Sequence, residues 1–351
     1  MLRFQSPGGP KASLRRRQVL IGAAALTLTA CERPMLATAS HTPKINMTKL
    51  NADVGEVAAR VKPAVLGAGL MNLESGESWS YNGERPFPMQ SVFKAPLGAA
   101  VLAEVDAGRL SLDEVVTLAA NQLSPPWSPI ANAWPGRTTY TVRELLVAAV
   151  GTSDNTAADL LMKRIGGPGA VDGWMQAKDV IEIRIDRYER ELQPEIVGMA
   201  SFRPAWKGEA FQRVRASIPA DKRRAAMARY LRDPRDTATP RGMLGFLDKL
   251  EGGELLSPAS TRLLLQIMAD SPRGANRLRA GLPKGATLAH KAGTAGTDLG
   301  LNPATNDVGI FTLADGRKYA AAVFLSGSTL DDAGRDAVIA EVAHAMVRGI
   351  G

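Results

Sequence analysis

Apolar residues recur at helical spacing from Met47 to Val61, where Leu50, Val54, Val57, Ala58 and Val61 share one face. Two extended runs follow at 65–73 and 78–81, with Glu74-Ser75-Gly76-Glu77 as the hairpin turn between them. Residues 92–107 predict a helix ended by Gly108. Helical patterns return at 141–150, 155–165, 239–250 and 258–269, separated by Gly and Pro loops. Strands are then predicted at 286–292, 307–313 and 319–326, with Leu313-Ala314-Asp315-Gly316 turning between the last two. A closing helix carries Val338, Ile339, Val342, Ala345, Met346 and Ile350 on one face. Strands at both ends with helices between predict an α/β (α+β) fold of two subdomains. Residues 45–90 and 286–351 build an antiparallel sheet flanked by helices, and 91–285 an all-helical subdomain. The cleft between them is the natural place for a site.

The first 30 residues stand apart from this pattern. Arg3, Lys11, Arg15, Arg16 and Arg17 precede an apolar run from Val19 to Ala30 that is too short to span a bilayer. This is the form of an export signal. Leu28-Thr29-Ala30-Cys31 resembles a bacterial lipobox, which implies cleavage before Cys31 and lipidation of that residue. A chance thiol in an ordinary signal peptide is the plainer alternative. Arg16-Arg17-Gln18-Val19-Leu20 resembles an imperfect twin-arginine signal. Residues 31–44, rich in Pro, Thr and Ser, suit a tether. The expectation is an exported, periplasmic monomer held to a bacterial envelope membrane by lipid alone. Cys31 is the only cysteine, which excludes an internal disulfide and a cysteine-based metal site.

The formal charge of +8 falls to +3 once the five leader cations are removed, too little to argue for nucleic acid. The rest is uneven: 194–234 holds nine Lys or Arg against four Asp or Glu. His41, His290 and His344 have no partner at a metal-ligand spacing, so neither a metal nor another cofactor is expected.

Candidate chemistry begins at Ser91-Val92-Phe93-Lys94, where Ser and Lys at i and i+3 share a face at a helix start. A serine hydroxyl is a weak nucleophile until a base sits beside it, and an amine can serve. Alone, this spacing is common by chance. Ser153-Asp154-Asn155 and Lys291-Ala292-Gly293-Thr294 follow in order. The set S-x-x-K, S-D-N and K-T-G is the known signature of class A β-lactamases and penicillin-binding proteins. The flanks Phe87-Pro88-Met89, Thr141-Val142-Arg143-Glu144-Leu145 and Thr156-Ala157-Ala158 match as well. Residues 184–193, from Arg184 to Gln193, resemble the class A omega loop and contain Glu189, which penicillin-binding proteins lack. From about Leu50 to its C-terminus the chain thus resembles a class A serine β-lactamase with an enlarged omega-loop region, 184–236.

The resemblance implies a β-lactamase-like fold and a small β-lactam substrate, a penicillin or cephalosporin. It implies Ser91 as nucleophile, Lys94 as its activator, and Glu189 as general base for a hydrolytic water. Ser153 relays a proton to the leaving nitrogen, and Lys291 supplies positive potential beside it. Asn155, Thr294, Gln193 and Gly293 are implied at the substrate, and the amides of Ser91 and Thr294 form the oxyanion hole. Trp127 falls where the family places an aromatic at the cleft mouth, with plain packing as the alternative. Arg335 is a candidate for carboxylate binding, against a solvated helix face. Arg187 and Asp236 are implied to tie the loop neck.

This chain departs from the family in four places. Ala292 lacks a hydroxyl that Thr294, two residues on, is positioned to replace. Arg190 stands where a proline joins a cis bond, so a trans loop is expected. Gln193 is a methylene longer than the usual asparagine, enough to misplace a water. The omega loop also carries an insertion, in which Phe202, Trp206 and Phe211 imply packing and 219–231 a basic helix. A lid or a contact to an anionic surface is one reading of it, and a solvated elaboration the other. These departures are the support for an alternative, a penicillin-binding acyl-enzyme (peptidase-like or sensor) with slow or no turnover. A third reading is a binding-only envelope lipoprotein.

Overall fold

The computed structural model describes residues 44–350. The leader, Cys31 and the tether up to residue 43 lie outside the described residues. The central sheet has five strands: β1 (Val65–Asn72), β2 (Ser78–Tyr81), β3 (Thr287–Thr294), β4 (Asn302–Thr312) and β5 (Lys318–Ser328). Their order is β2-β1-β5-β4-β3, antiparallel throughout. Strands from both ends of the fold therefore share one sheet, with β1 paired to β5 from Val65↔Ser326 to Asn72↔Tyr319.

The alternation of side chains along these strands divides the interior in two. Leu66, Ala68 and Leu70 of β1 and Ala321, Val323 and Leu325 of β5 face one core, shared with α1 (Met47–Arg60) and the C-terminal helix. Ala320, Ala322 and Phe324 face the other, shared with the central helices. Because both faces are covered, β5 reads as a nearly unbroken apolar run. Each fully buried Leu, Val or Phe among them contributes about 1.5–3 kcal/mol.

Helix α2 (Lys94–Asp106) is the axis of the second core. Residues 94–102 are all buried, as expected of a helix apolar on every side. It packs among α3 (Asn155–Arg164), the helix 168–177 and the helix 258–269. Side-chain caps set several helix starts: Asp154 accepts from Ala157 N before α3, and Thr141 and Glu144 form a reciprocal capping box.

Some elements differ from the sequence pattern. Residues 141–150 are not one helix: a strand ends at Thr141, a helix covers Val142–Leu146 and a π-turn covers Val147–Gly151. Strand β4 starts at Asn302, five residues early, because Asn302, Thr305 and Asn306 are buried polar residues with partners rather than a loop. Helices also form where the sequence pattern predicts none: 168–177, α4 (Glu189–Ile196) and α5 (Glu209–Ser217), each of ten residues or fewer. The basic helix of the insertion is α6 (Ala220–Tyr230), and the chain closes with α7 (Asp332–Arg348).

Candidate active site

Ser91 lies in a single 3-10 turn, Gln90–Phe93, that feeds α2. The edge strand β3 passes against this turn. A Cβ at Gly293 would lie 2.5 Å from the Met89 carbonyl oxygen and 3.1 Å from Val92 N, so only glycine permits the approach. Asn306 on β4 pins the same turn, its Nδ2 donating to the carbonyls of Pro88 (2.8 Å) and Met89 (3.0 Å).

Lys94 is fully buried, and its Nζ gathers the site. It donates to Ser91 Oγ (3.0 Å), the Ser153 carbonyl (2.9 Å) and Asn155 Oδ1 (2.6 Å). Glu189 Oε1 lies 2.9 Å from the same ammonium. Among the described residues Glu189 Oε1 has this ion pair and no hydrogen bond of ordinary geometry. Ser153 is held in the left-handed region (φ 67°), which turns its hydroxyl to face Lys291. Lys291 Nζ donates to Ser153 Oγ (3.0 Å) and to the Ala292 carbonyl (2.8 Å). Burial first, and the Lys94 cation second, hold the Lys291 amine well below the ordinary lysine range. Asn155 Nδ2 donates to the Pro125 carbonyl (2.6 Å), which fixes its oxygen toward Lys94.

Glu189 begins α4, and the peptide it forms with Arg190 is trans. The N-terminal amides of α4 are satisfied from outside. Asp159 on α3 accepts from Glu189 N (2.7 Å) and Arg190 N (3.0 Å). One turn into α4, Gln193 Nε2 donates to Glu189 Oε2 (2.8 Å) and to Gln90 Oε1 (3.1 Å). The loop neck closes where Arg187 Nε meets Asp236 Oδ2 (2.6 Å), and Asp236 Oδ1 accepts from Asp186 N and Arg187 N. Arg187 also pairs with Glu195 and Asp233.

These groups open on a cleft of about 420 Å³ lined by Ser91, Ser153, Asn155, Gln193, Ala292 and Thr294, with Trp127, Arg273 and Arg277 on its walls. Trp127 is 45% exposed, which is not the packing of a core tryptophan. Its ring lies 4.3 Å from the Arg273 guanidinium, and its Nε1 donates to the Thr152 carbonyl (3.0 Å). Arg277 donates to Thr294 Oγ1 (2.7 Å), the Gly293 and Asn306 carbonyls and Asp336 (2.6 Å).

Arg335 requires a correction. It is neither on a solvated face nor on the cleft wall: it is 1% exposed, donates to Thr305 Oγ1 (2.9 Å) and the Leu330 carbonyl, and pairs with Asp332. Its position on α7 aims it into the sheet. The arginines at the cleft are Arg273 and Arg277, whose only sequence signal is the basic stretch Arg273–Arg279. The insertion, 194–234, borders the far end of the cleft, where Arg215 lies against Gly296 and Arg223 pairs with Asp298 (2.5 Å). Phe202 and Phe211 are buried in the core shared with the central helices. Asp159 and Gln90 were missed as well. Asp159 had a signal, a carboxylate four residues after Asn155 within an apolar helix face.

Residues 49–350 match the Beta-lactamase enzyme family. Two relatives from Pseudomonas aeruginosa are Beta-lactamase VEB-1, 30% identical over 82% of this chain and 86% of its own length, and Extended-spectrum beta-lactamase PER-1, 32% identical over 81% and 82%. The solved class A β-lactamase of the last common ancestor of Gram-negative bacteria superposes with a TM-score of 0.70, at 34% identity over 86% of this chain and 99% of its own. Fold and site thus define a serine hydrolase. The chain belongs to the Beta-lactamase enzyme family, as a class A serine β-lactamase that hydrolyses β-lactam antibiotics.

Proposed function

We propose that this enzyme opens the β-lactam amide through an acyl-enzyme on Ser91 and clears it with water activated by Glu189. The observation that carries the reading is one buried ammonium, Lys94 Nζ, 3.0 Å from the serine oxygen and 2.9 Å from the glutamate. Ser91 Oγ adds to the lactam carbonyl and its proton passes to the Lys94–Glu189 pair. The amides of Ser91 and Thr294 receive the oxyanion, on either side of the contact that Gly293 permits. The C–N bond then breaks, and the nitrogen takes the Ser153 hydroxyl proton, which Lys291 Nζ replaces from 3.0 Å. The lowered proton affinity of Lys291 favours that donation. The proton taken from Ser91 then passes back to Lys291, which restores the Glu189 carboxylate; in the second half that carboxylate takes a proton from water as the water adds to the ester. Ser91 leaves with that proton. Arg277, held by Thr294 and Asp336, anchors the substrate carboxylate together with Lys291.

The test is hydrolysis of a chromogenic cephalosporin and a penicillin by the mature domain, with intact mass recorded after mixing. Ser91→Ala forms no adduct, and Glu189→Ala accumulates the acyl mass while hydrolysis stops. A wild type that stalls as an adduct marks a penicillin-binding acyl-enzyme instead, and wild-type hydrolysis without Ser91 refutes the nucleophile. Export as a monomer anchored through lipidated Cys31 belongs to the same proposal. Its check is incorporation of labelled palmitate that Cys31→Ser abolishes.

A further inference from the structure

The insertion reaches the catalytic glutamate from behind the omega loop. Helix α6 packs on α4 and ends at Tyr230, which is buried. Gln90 Nε2 donates to Tyr230 Oη (2.5 Å), Gln193 Nε2 donates to Gln90 Oε1 (3.1 Å), and the same Gln193 amide donates to Glu189 Oε2 (2.8 Å). Gln90, the residue before Ser91, is 2% exposed and sits in the left-handed region at φ 48°, a conformation that surrounding structure must hold.

The direction of every link in this chain is determined. A carboxylate accepts only, so Gln193 must turn its NH2 to Glu189, and Gln90 must then offer its carbonyl to Gln193. That choice forces the Gln90 NH2 outward, where in a buried site it needs an acceptor. Tyr230 Oη is that acceptor. Burial pushes the phenol up from its ordinary range, so it stays a neutral hydroxyl and adds no charge beside Glu189.

We infer that Tyr230 is a positioning residue for deacylation: through Gln90 it orients the Gln193 amide that holds the Glu189 carboxylate. The inserted segment is in this view a brace behind the omega loop, fitted to the longer Gln193 side chain. The inference rests on the proposed role of Glu189 and adds to it a residue from outside the family motifs.

The test is Tyr230→Phe, which keeps the ring and its packing and removes only the acceptor. Acylation and deacylation rates are read separately by stopped-flow and intact mass with a chromogenic cephalosporin, beside Glu189→Ala. The expected result is deacylation slowed about 10- to 100-fold, since small misplacements of a base and its water are costly. Acylation stays within about threefold and the acyl mass accumulates. In a Gln193→Ala background the same substitution changes deacylation by less than about twofold, because the link it acts through is gone. Deacylation of Tyr230→Phe at the wild-type rate, while Glu189→Ala stalls, overturns the positioning role and leaves the base intact. Both variants deacylating normally removes the base, and Tyr230's role with it. Equal losses of acylation and deacylation with a lowered melting temperature mark a structural role and also overturn it. If Tyr230→Phe folds poorly, Gln90→Met cuts the same chain from the other side. It must give the same acyl accumulation, and wild-type deacylation by that variant refutes the inference.

Discussion

Asp159 offers the most quantitative check on how the omega loop is held. Its carboxylate is buried on α3 and accepts three hydrogen bonds: from Glu189 N (2.7 Å), Arg190 N (3.0 Å) and Ser124 Oγ (2.6 Å). Burial, with the Glu189 charge adding to it, pushes its pKa up from 3.8 to about 7 against the pull of those donors. The unfolded chain therefore ionises this group near its ordinary value, while the folded protein keeps the proton until about 7. Between the two, the folded state binds more protons, and its stability falls as pH rises, by about 1.4 kcal/mol per pH unit. Above about 7 the slope from this group vanishes. Asp159→Asn cannot titrate. It leaves one α4 amide facing an NH2 group, at a cost of about 1–3 kcal/mol. Urea denaturation at about pH 5 and about pH 8 then gives two differences between wild type and variant. At about pH 5 the variant is the less stable by about 1–3 kcal/mol. At about pH 8 the balance has moved by about 2–3 kcal/mol in its favour. Titrating groups that do not interact with Asp159 cancel in the comparison. A stability difference that is the same at both pH values, within about 0.5 kcal/mol, refutes the buried, raised carboxylate.

Gly293→Ala drives a Cβ into backbone at Met89 and Val92, and is expected to cost about 1–3 kcal/mol in denaturation and to slow acylation about tenfold or more. Lys291, held low by burial, loses its charge at lower pH than an ordinary lysine, so the alkaline fall of kcat/KM begins early. Lys291→Arg keeps its cation and moves that fall to higher pH in a pH–rate profile. Arg187→Met leaves buried Asp236 without its cation and is expected to lose about 3–5 kcal/mol by chemical denaturation. Gln193→Asn restores the residue usual in the family, yet its shorter chain cannot span Gln90 and Glu189. Burst kinetics are expected to show deacylation slowed about tenfold, not improved.

Much of this was legible because the chemistry is local or ordered. Ser91 and Lys94 are one helical turn apart, and the strands of β1, β3 and β5 keep a clean alternation or an unbroken apolar run. What escaped depends on where a side chain is aimed after the chain has packed. Arg335 and Arg277 are both arginines near the C-terminal half of the sheet. Helix geometry buries the first against Thr305, and an irregular segment turns the second to the cleft. Helix α4 was hidden by its shortness and by Pro194, a residue that resists a helix interior. It forms because Asp159 and Glu191 accept from its first free amides and Leu192 and Ile196 are buried beneath it.

The departures from the family pattern make physical sense when taken together. Ala292 removes a hydroxyl at the cleft, and Thr294 supplies one that holds Arg277. Arg190 removes a proline, and the trans peptide that results exposes two amides at the start of α4, which Asp159 takes. Gln193 carries its amide farther from the backbone than asparagine would, so it meets Gln90 as well as Glu189, and Gln90 in turn needs Tyr230. A buried hydrogen-bond chain cannot stop at an arbitrary link, since each unsatisfied end costs about 1–3 kcal/mol. Lengthening one side chain beside the glutamate therefore shifts the requirement outward, through Gln90, to the Tyr230 hydroxyl. Here that hydroxyl sits at the end of the inserted helix, which is why the insertion and a one-methylene change beside the base belong to a single structural solution.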